Sequence, residues 1–155
     1  MNFPVFVIDT HALVWFSKGN VSLLGSGAAR AMLQFRARIV VPSFAFTEIQ
    51  LKFSPKMDSK KNSMRVPPTP LLRLVSNCSN VRILPRGPAT LAWEAKLMRN
   101  RLTNGIPDQD IPIAAASMVA RDYYEGPIAL ITKDGPLAKW APSAGISIVW
   151  SRHSA

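Results

Sequence analysis

Short apolar runs alternate with amphipathic stretches along this chain, and the alternation predicts strands separated by helices. Apolar or β-branched runs predict strands at residues 3–8, 38–41, 81–84, 128–131 and 146–150. Strands joined through helices pair in parallel, because each connection has to cross back over the sheet. The pattern therefore predicts an α/β domain with a mostly parallel central sheet.

The intervening stretches have helical periodicity. Helices are expected at residues 11–16, 26–38, 43–53, 88–101, 110–123 and 135–140. The helix at 88–101 begins at a proline, and its apolar residues are spaced for one face: Leu91, Ala95, Met98 and Leu102. The middle of the helix at 110–123 is apolar or small all round, so we expect it to be buried. Residues 54–70 are polar, basic and proline-containing, which predicts a loop or flexible lobe.

Length and composition are typical of one globular domain, here residues 1–155 with 48% hydrophobic residues. Cys78 is the single cysteine and cannot form an internal disulfide, which favours a reducing, cytoplasmic setting in which it only packs. No apolar run reaches the roughly 18 residues that a membrane span needs. The first run contains Asp9 and His11, which is unlike a signal peptide.

Charge adds a hypothesis about partners. The 19 Lys and Arg residues oppose 9 Asp and Glu residues, for a formal net charge of +10. Such a charge favours polyanions, nucleic acid first; a basic surface kept for solubility, or one neutralised by an acidic protein, is the alternative. The basic residues are dense between Lys52 and Arg101, where only Asp58 and Glu94 are acidic.

Because carboxylates are scarce, the position of each one is informative. Asp9 and Asp134 follow apolar strands closely, at the edge where parallel sheets bind ligands, although acids also serve there as turn formers and caps. Glu48 shares a helical stripe with Phe44 and Leu51, so burial would require a metal, a cationic partner or a raised pKa; a surface glutamate is the alternative.

Two further acids precede the apolar helix. Asp110 is in register with its buried face, and the helix dipole favours an acid there, so capping alone would explain one carboxylate. A single acid is enough to cap a helix, so capping does not explain why Asp108 is present as well as Asp110. Clustered oxygen ligands without repeated histidine or cysteine suit Mg²⁺ or Mn²⁺ better than zinc. The motifs of P-loop, dinucleotide-binding, serine-hydrolase and zincin enzymes do not occur.

Four segments resemble, in order, the signature blocks of PIN domains, especially the VapC toxins of bacterial toxin–antitoxin pairs. They read VIDTHALVWF, SFAFTEIQLK, PDQDIPIAAASMVA and LITKDGPL, and the likeness runs from Phe6 to about Trp150. The resemblance implies a Rossmann-like three-layer fold and a metal-dependent endoribonuclease. It implies a quartet of catalytic, metal-binding acids, and the matching positions are Asp9, Glu48, Asp110 and Asp134.

The resemblance also implies supporting roles and departures. Thr132 matches the threonine that supports the last acid, Asp134, through a hydrogen bond. Many relatives have arginine or lysine directly after the third acid, whereas Ile111 and Pro112 stand here, so Asp108 stays open as an alternative or auxiliary ligand. His11 is common in the subgroup but lies outside the quartet.

The expected reaction is hydrolysis of RNA phosphodiesters by metal-activated water. The resemblance implies 5′-phosphate and 3′-hydroxyl ends on the products. Basic side chains would hold the RNA backbone, and the favoured cluster is Lys52, Lys56, Lys60, Lys61 and Arg65, with a solvated loop as the alternative. The resemblance further implies a homodimer and a small VapB-like antitoxin that occludes the acids, in a heterotetramer or larger assembly. There are two alternatives to a toxin: a PIN-type nuclease that acts in RNA processing, and a non-catalytic nucleic-acid-binding module.

Overall fold

A computed structural model describes residues 3–17, 37–52, 77–132 and 134–149. Its strands are β1 Val5–Ile8, β2 Arg38–Pro42, β3 Val81–Leu84, β4 Ile128–Ile131 and β5 Ser147–Ile148. Its α-helices are α1 Thr10–Ser17, α2 Ser43–Lys52, α3 Pro88–Arg99, α4 Arg101–Asn104, α5 Ile111–Tyr123 and α6 Gly135–Trp140. Single 3₁₀ turns lie at Asp108–Asp110 and Ala141–Ala144.

The five strands form one parallel sheet in the order β3-β2-β1-β4-β5. From β1 the chain adds β2 and β3 on one side and later adds β4 and β5 on the other. The strand order therefore reverses between β1 and β4, which pair from Val5 with Ile128 to Ile8 with Ile131. Open α/β sheets bind ligands in the crevice that such a reversal leaves at the carboxyl ends of the strands.

Both faces of the sheet are covered, so the domain has three layers. In β1, Phe6 and Ile8 pack into a core with α1 and α2, while Val5 and Val7 pack into a second core with α5 and α6. Alternate residues of a strand point to opposite faces, which is why a continuous apolar run is needed here. The predicted three-layer α/β fold with a parallel sheet is confirmed.

The prediction that the apolar side chains of α3 form its buried face is wrong. Leu91, Met98 and Leu102 are 50%, 38% and 97% exposed, and the helix ends at Arg99, before a separate short helix that holds Leu102. The buried face of α3 instead carries Thr90, Glu94 and Leu97. Glu94 can turn inward because Arg86 neutralises it with two hydrogen bonds, of 2.9 and 2.6 Å. Periodicity alone favoured the wrong stripe.

Other expectations meet the structure in part. The middle of α5 is buried as predicted, and Cys78 is half-buried against the first core. The last strand is shorter than expected, at Ser147–Ile148. The lobe at 54–70 and nearly all of the helix at 26–38 lie outside the described residues. Among the described residues, no helix is long and apolar enough to cross a membrane.

We expect Arg86→Ala to lower the free energy of unfolding by about 1–3 kcal/mol, because the nearly buried Glu94 carboxylate would lose its charged partner. Chemical denaturation monitored by circular dichroism measures this loss. Arg82→Ala is the control, since among the described residues the exposed Arg82 guanidinium bonds to backbone carbonyls and to no carboxylate. Equal stability of the two variants would contradict the importance of this ion pair.

Candidate active site

A pocket of about 110 Å³ opens at the carboxyl ends of β1 and β4. Four carboxylic acids line it together with five other residues. The acids are those that the sequence assigned to one site: Asp9, Glu48, Asp110 and Asp134. We call this the acidic pocket. Four acids that are far apart in the chain therefore meet at the point where the strand order reverses.

Asp9 is placed by the end of β1 and the start of α1. Its backbone N–H donates to the carbonyl of Ile131, which continues the sheet, and its Oδ1 accepts from the N–H of Ala12 at 2.9 Å. The side chain is thus a cap for the first turn of α1. Burial raises the pKa of Asp9, and the hydrogen bonds from Thr132 and Ala12 counteract that rise.

Thr132 joins the two strands of the reversal. Its hydroxyl donates to Oδ2 of Asp9 at 2.5 Å and accepts from the backbone N–H of Asp134 at 2.9 Å. The hydroxyl that accepts from the backbone of Asp134, the acid that Thr132 was expected to support, thus also donates to Asp9, because β1 and β4 are neighbours. Asp134 is held by α6, whose Leu137 N–H donates to its Oδ1 at 3.0 Å.

Asp110 is the least satisfied of the four acids. It directly precedes α5, but its side chain makes no capping bond, and its Oδ2 is buried without a hydrogen-bond partner. Burial raises the pKa of Asp110 from 3.8 to about 7, and the nearby charges of Asp134, Glu48 and Asp9 add to the rise. Capping, the structural explanation considered from sequence, does not account for this carboxylate.

Glu48 reaches the pocket from α2, where it is half-buried. The stripe expected to surround it is only partly present, because Phe44 is half-buried while Leu51 is 79% exposed. The Glu48 side chain therefore lines the acidic pocket and is not enclosed by an apolar stripe. His11 also lines the pocket, with an exposed side chain.

The structure does not bring every candidate to this place. Asp108 is exposed, does not line the acidic pocket, and pairs with Arg101 at 3.3 Å. Lys52 ends α2, and the rest of the proposed RNA-binding cluster lies outside the described residues: Lys56, Lys60, Lys61 and Arg65. The structure therefore separates Asp108 from the four acids.

Two pocket residues were missed by sequence reasoning. Gln109 lines the pocket beside Asp110, and Thr10 lines it with a buried hydroxyl that has no hydrogen-bond partner. Thr10 directly follows Asp9 at the start of α1, and that position in an otherwise apolar segment was the available signal. Buried hydroxyls normally have a partner, so this one is available to a ligand.

The donor set of the pocket fits a hard divalent cation. It offers carboxylate oxygens from four residues, one of them the unpartnered Oδ2 of Asp110, and no thiol. Within the part of the chain that the structure describes, no three acidic, histidine or cysteine side chains already stand close enough together to hold an ion. The carboxylates would have to draw inward when an ion neutralises their mutual repulsion.

Thr132→Val should lower the free energy of unfolding by about 1–3 kcal/mol, because Asp9 Oδ2 and the Asp134 N–H would both lose a buried hydrogen bond. Thr132→Ser retains the hydroxyl and is the matched control. Denaturant unfolding of both variants and the wild type would reveal the difference. A valine variant as stable as the serine variant would show that this hydroxyl does not tie the two strands together.

No protein-family model matches the chain, and no curated protein matches it in sequence. Solved structures do match. A chain of VapBC2 from Rickettsia felis, bound to a DNA fragment from their promoter, is 14% identical with a TM-score of 0.59, over 93% of this chain and 96% of that one. A chain of VapBC-1 from nontypeable Haemophilus influenzae is 15% identical with a TM-score of 0.56, over the same shares.

A chain of DNA-bound VapBC from Salmonella typhimurium is 16% identical with a TM-score of 0.50, over 96% of this chain and 97% of that one. At such identities the likeness is one of fold. It extends over more than nine tenths of the chain in all three cases, and it includes the parallel sheet whose reversal forms the acidic pocket. This chain therefore shares its fold with a chain of each of these VapBC structures.

Proposed function

We propose that this chain is a Mg²⁺- or Mn²⁺-dependent endoribonuclease and the toxin of a VapBC-type toxin–antitoxin pair. The observation that carries the proposal is the acidic pocket at the strand reversal, where Oδ2 of Asp110 is buried with no hydrogen-bond partner among the described residues. The likeness of fold to chains of VapBC complexes supports it. Carboxylates arranged only as helix caps would not need to converge in one pocket.

The ion would be held by Asp9, Glu48, Asp110 and Asp134. When bound, such an ion activates water as a nucleophile and offsets negative charge on a phosphodiester. The protein prepares the place for it. Thr132 and the Ala12 N–H fix the orientation of Asp9, and the Leu137 N–H fixes that of Asp134. Asp110 and Thr10 supply polar atoms that have no other partner.

RNA is the proposed substrate because the chain is strongly basic while its pocket is acidic. The net charge of +10 attracts the phosphate backbone, and the acids confine metal-dependent chemistry to one place. The basic cluster Lys52, Lys56, Lys60, Lys61 and Arg65 remains our proposal for backbone contacts, which position RNA without selecting a sequence.

A small VapB-like antitoxin is the proposed protein partner, and a homodimer the proposed form of the nuclease. The VapBC structures of the same fold support the antitoxin, and the positive charge suits an acidic partner. A nuclease of RNA processing would lack such an inhibitor. Inhibition of the purified nuclease by the product of a small neighbouring gene would separate the two roles.

The first test is cleavage of total RNA by purified protein with Mn²⁺ or Mg²⁺. Mutation of a residue that only orients a metal ligand typically lowers activity by roughly 10–100-fold. We expect Asp9→Asn and Asp110→Asn to lower the rate of RNA cleavage by more than this, because each would remove a ligand. Asp108→Asn is the matched control, because that acid is paired with Arg101 outside the pocket. EDTA should abolish cleavage.

The outcome for the control decides between two arrangements. Activity that survives in Asp108→Asn but not in Asp110→Asn supports the four acids of the pocket. Loss of activity in Asp108→Asn alone would place the ligand set elsewhere. If wild-type protein neither cuts RNA nor gains thermal stability with Mn²⁺, the chain is a nucleic-acid-binding module and the nuclease proposal fails.

The raised pKa of Asp110 predicts how stability depends on pH without metal. Between pH 3.8 and about 7 the folded chain retains a proton on Asp110 that the unfolded chain has released. The free energy of unfolding contributed by this group therefore falls as pH rises through that window. The melting temperature of Asp110→Asn minus that of the wild type should therefore increase between pH 5 and pH 7.5, because only the wild type loses this contribution. Scanning calorimetry in EDTA measures the difference.

Mn²⁺ should close this gap at pH 7.5 by stabilising the wild type, and should have little effect at pH 5, where the proton competes with the ion. Asp108→Asn again serves as the control and should follow the wild type at both pH values. A constant difference between Asp110→Asn and wild type across the pH range would show that Asp110 is not held in a desolvated, acidic surrounding.

A further inference from the structure

A second pocket, of about 480 Å³, lies beside the acidic pocket and contains none of its acids. Residues 103–105, at the end of α4, form one wall. There Gly105 adopts a left-handed backbone with φ of 72°, so the turn that shapes this wall favours glycine. The opposite wall comes from α6 and the turn after it, through Gly135, Pro136, Lys139, Trp140 and Ser143. We call this the Lys139 pocket.

Helix α6 separates the two pockets. Its N-terminal neighbour Asp134 and its Leu137 line the acidic pocket, whereas Pro136 and Lys139 line the second one. The consecutive residues Asp134 and Gly135 line different pockets, so the two pockets adjoin at the start of this helix. A strand with a phosphate at the acids would therefore bring an adjoining nucleotide to the Lys139 pocket.

The chemistry of the second pocket complements a nucleotide. Lys139 is exposed and forms no ion pair with any residue that the structure describes. It stands next to the apolar surface of Pro136 and to Trp140, which is only 6% exposed and so forms part of the floor. A cation beside an apolar floor matches a phosphate joined to a base. No lysine or arginine is among the described residues that line the acidic pocket, and Lys139 of the neighbouring pocket supplies an attraction for phosphate that the acids cannot.

We propose that the Lys139 pocket binds a nucleotide of single-stranded RNA next to the phosphodiester that is cut, with Lys139 contacting its phosphate. The inference rests on the proposed function, because it assigns a subsite for that substrate. Lys139 is a substrate-binding residue in this scheme and takes no part in the activation of water.

The test separates binding from cleavage. Binding of a fluorescent mixed-sequence RNA is measured by anisotropy at several salt concentrations, in the Asp9→Asn background so that the RNA stays intact. A single phosphate contact to a single strand contributes about 0.7 to the slope of log affinity against log salt. Lys139→Ala should lower that slope by about this amount, and Lys139→Arg should restore it. Lys96→Ala is the matched control, an exposed lysine on α3 that lines neither pocket.

A second measurement locates the RNA directly. RNA containing 4-thiouridine is crosslinked by light to the Asp9→Asn protein, and we expect crosslinked peptides from residues 103–105 or 135–143. Crosslinks elsewhere, or a salt slope that Lys139→Ala and Lys96→Ala change equally, would overturn the inference. If the wild type still cuts RNA in that case, the proposed nuclease stands without this subsite. Absence of both cutting and binding would instead remove the proposed function and the subsite together.

Discussion

Repulsion among carboxylates that share a small, partly dry pocket is the constraint on which the rest of this site depends. Folding the sheet brings Asp9 and Asp134 to neighbouring strand ends, and packing α2 and α5 on it adds Glu48 and Asp110. Burial of apolar side chains in the two cores, one on each face of the sheet, must compensate for that repulsion. The hydrogen bond from the Thr132 hydroxyl stabilises the charge on Asp9. For Asp110, burial and the neighbouring carboxylates together raise the pKa to about 7.

The sequence could predict the sheet, and could place Asp9 and Asp134 at its edge, because both depend on local order along the chain. A buried parallel strand has to be a continuous apolar run, and an acid closely following such a run lies at the sheet edge. Glu48 and Asp110 do not follow strands, and only the resemblance to PIN domains assigned them to the same site. The bond from Thr132 to Asp9 could not be predicted in this way, because it depends on which strands are neighbours. The inward face of α3 depends on the single pairing of Glu94 with Arg86, which periodicity cannot register.

Helix α6 has a larger role than its six residues suggest. Asp134 caps it by accepting from the N–H of Leu137, whose side chain packs in the second core. Gly135, Pro136, Lys139 and Trp140 of the same helix line the Lys139 pocket. One short helix thus holds an acid in place and presents a lysine on the other side. Neither property is visible in the sequence of residues 130–140 on its own, because the sequence does not show which residue of the helix faces which pocket.

The pairing of β1 with β4 has a consequence for the timing of synthesis. Asp9 and Thr132 are 123 positions apart, and the strands that carry them are adjacent in the sheet. Contacts this distant in sequence form slowly, and they cannot form until the later partner has left the ribosome. A nascent chain thus carries Asp9 and Glu48 without an assembled pocket until β4 has been synthesised. Any activity of the pocket begins only after β4 and Asp134 have left the ribosome.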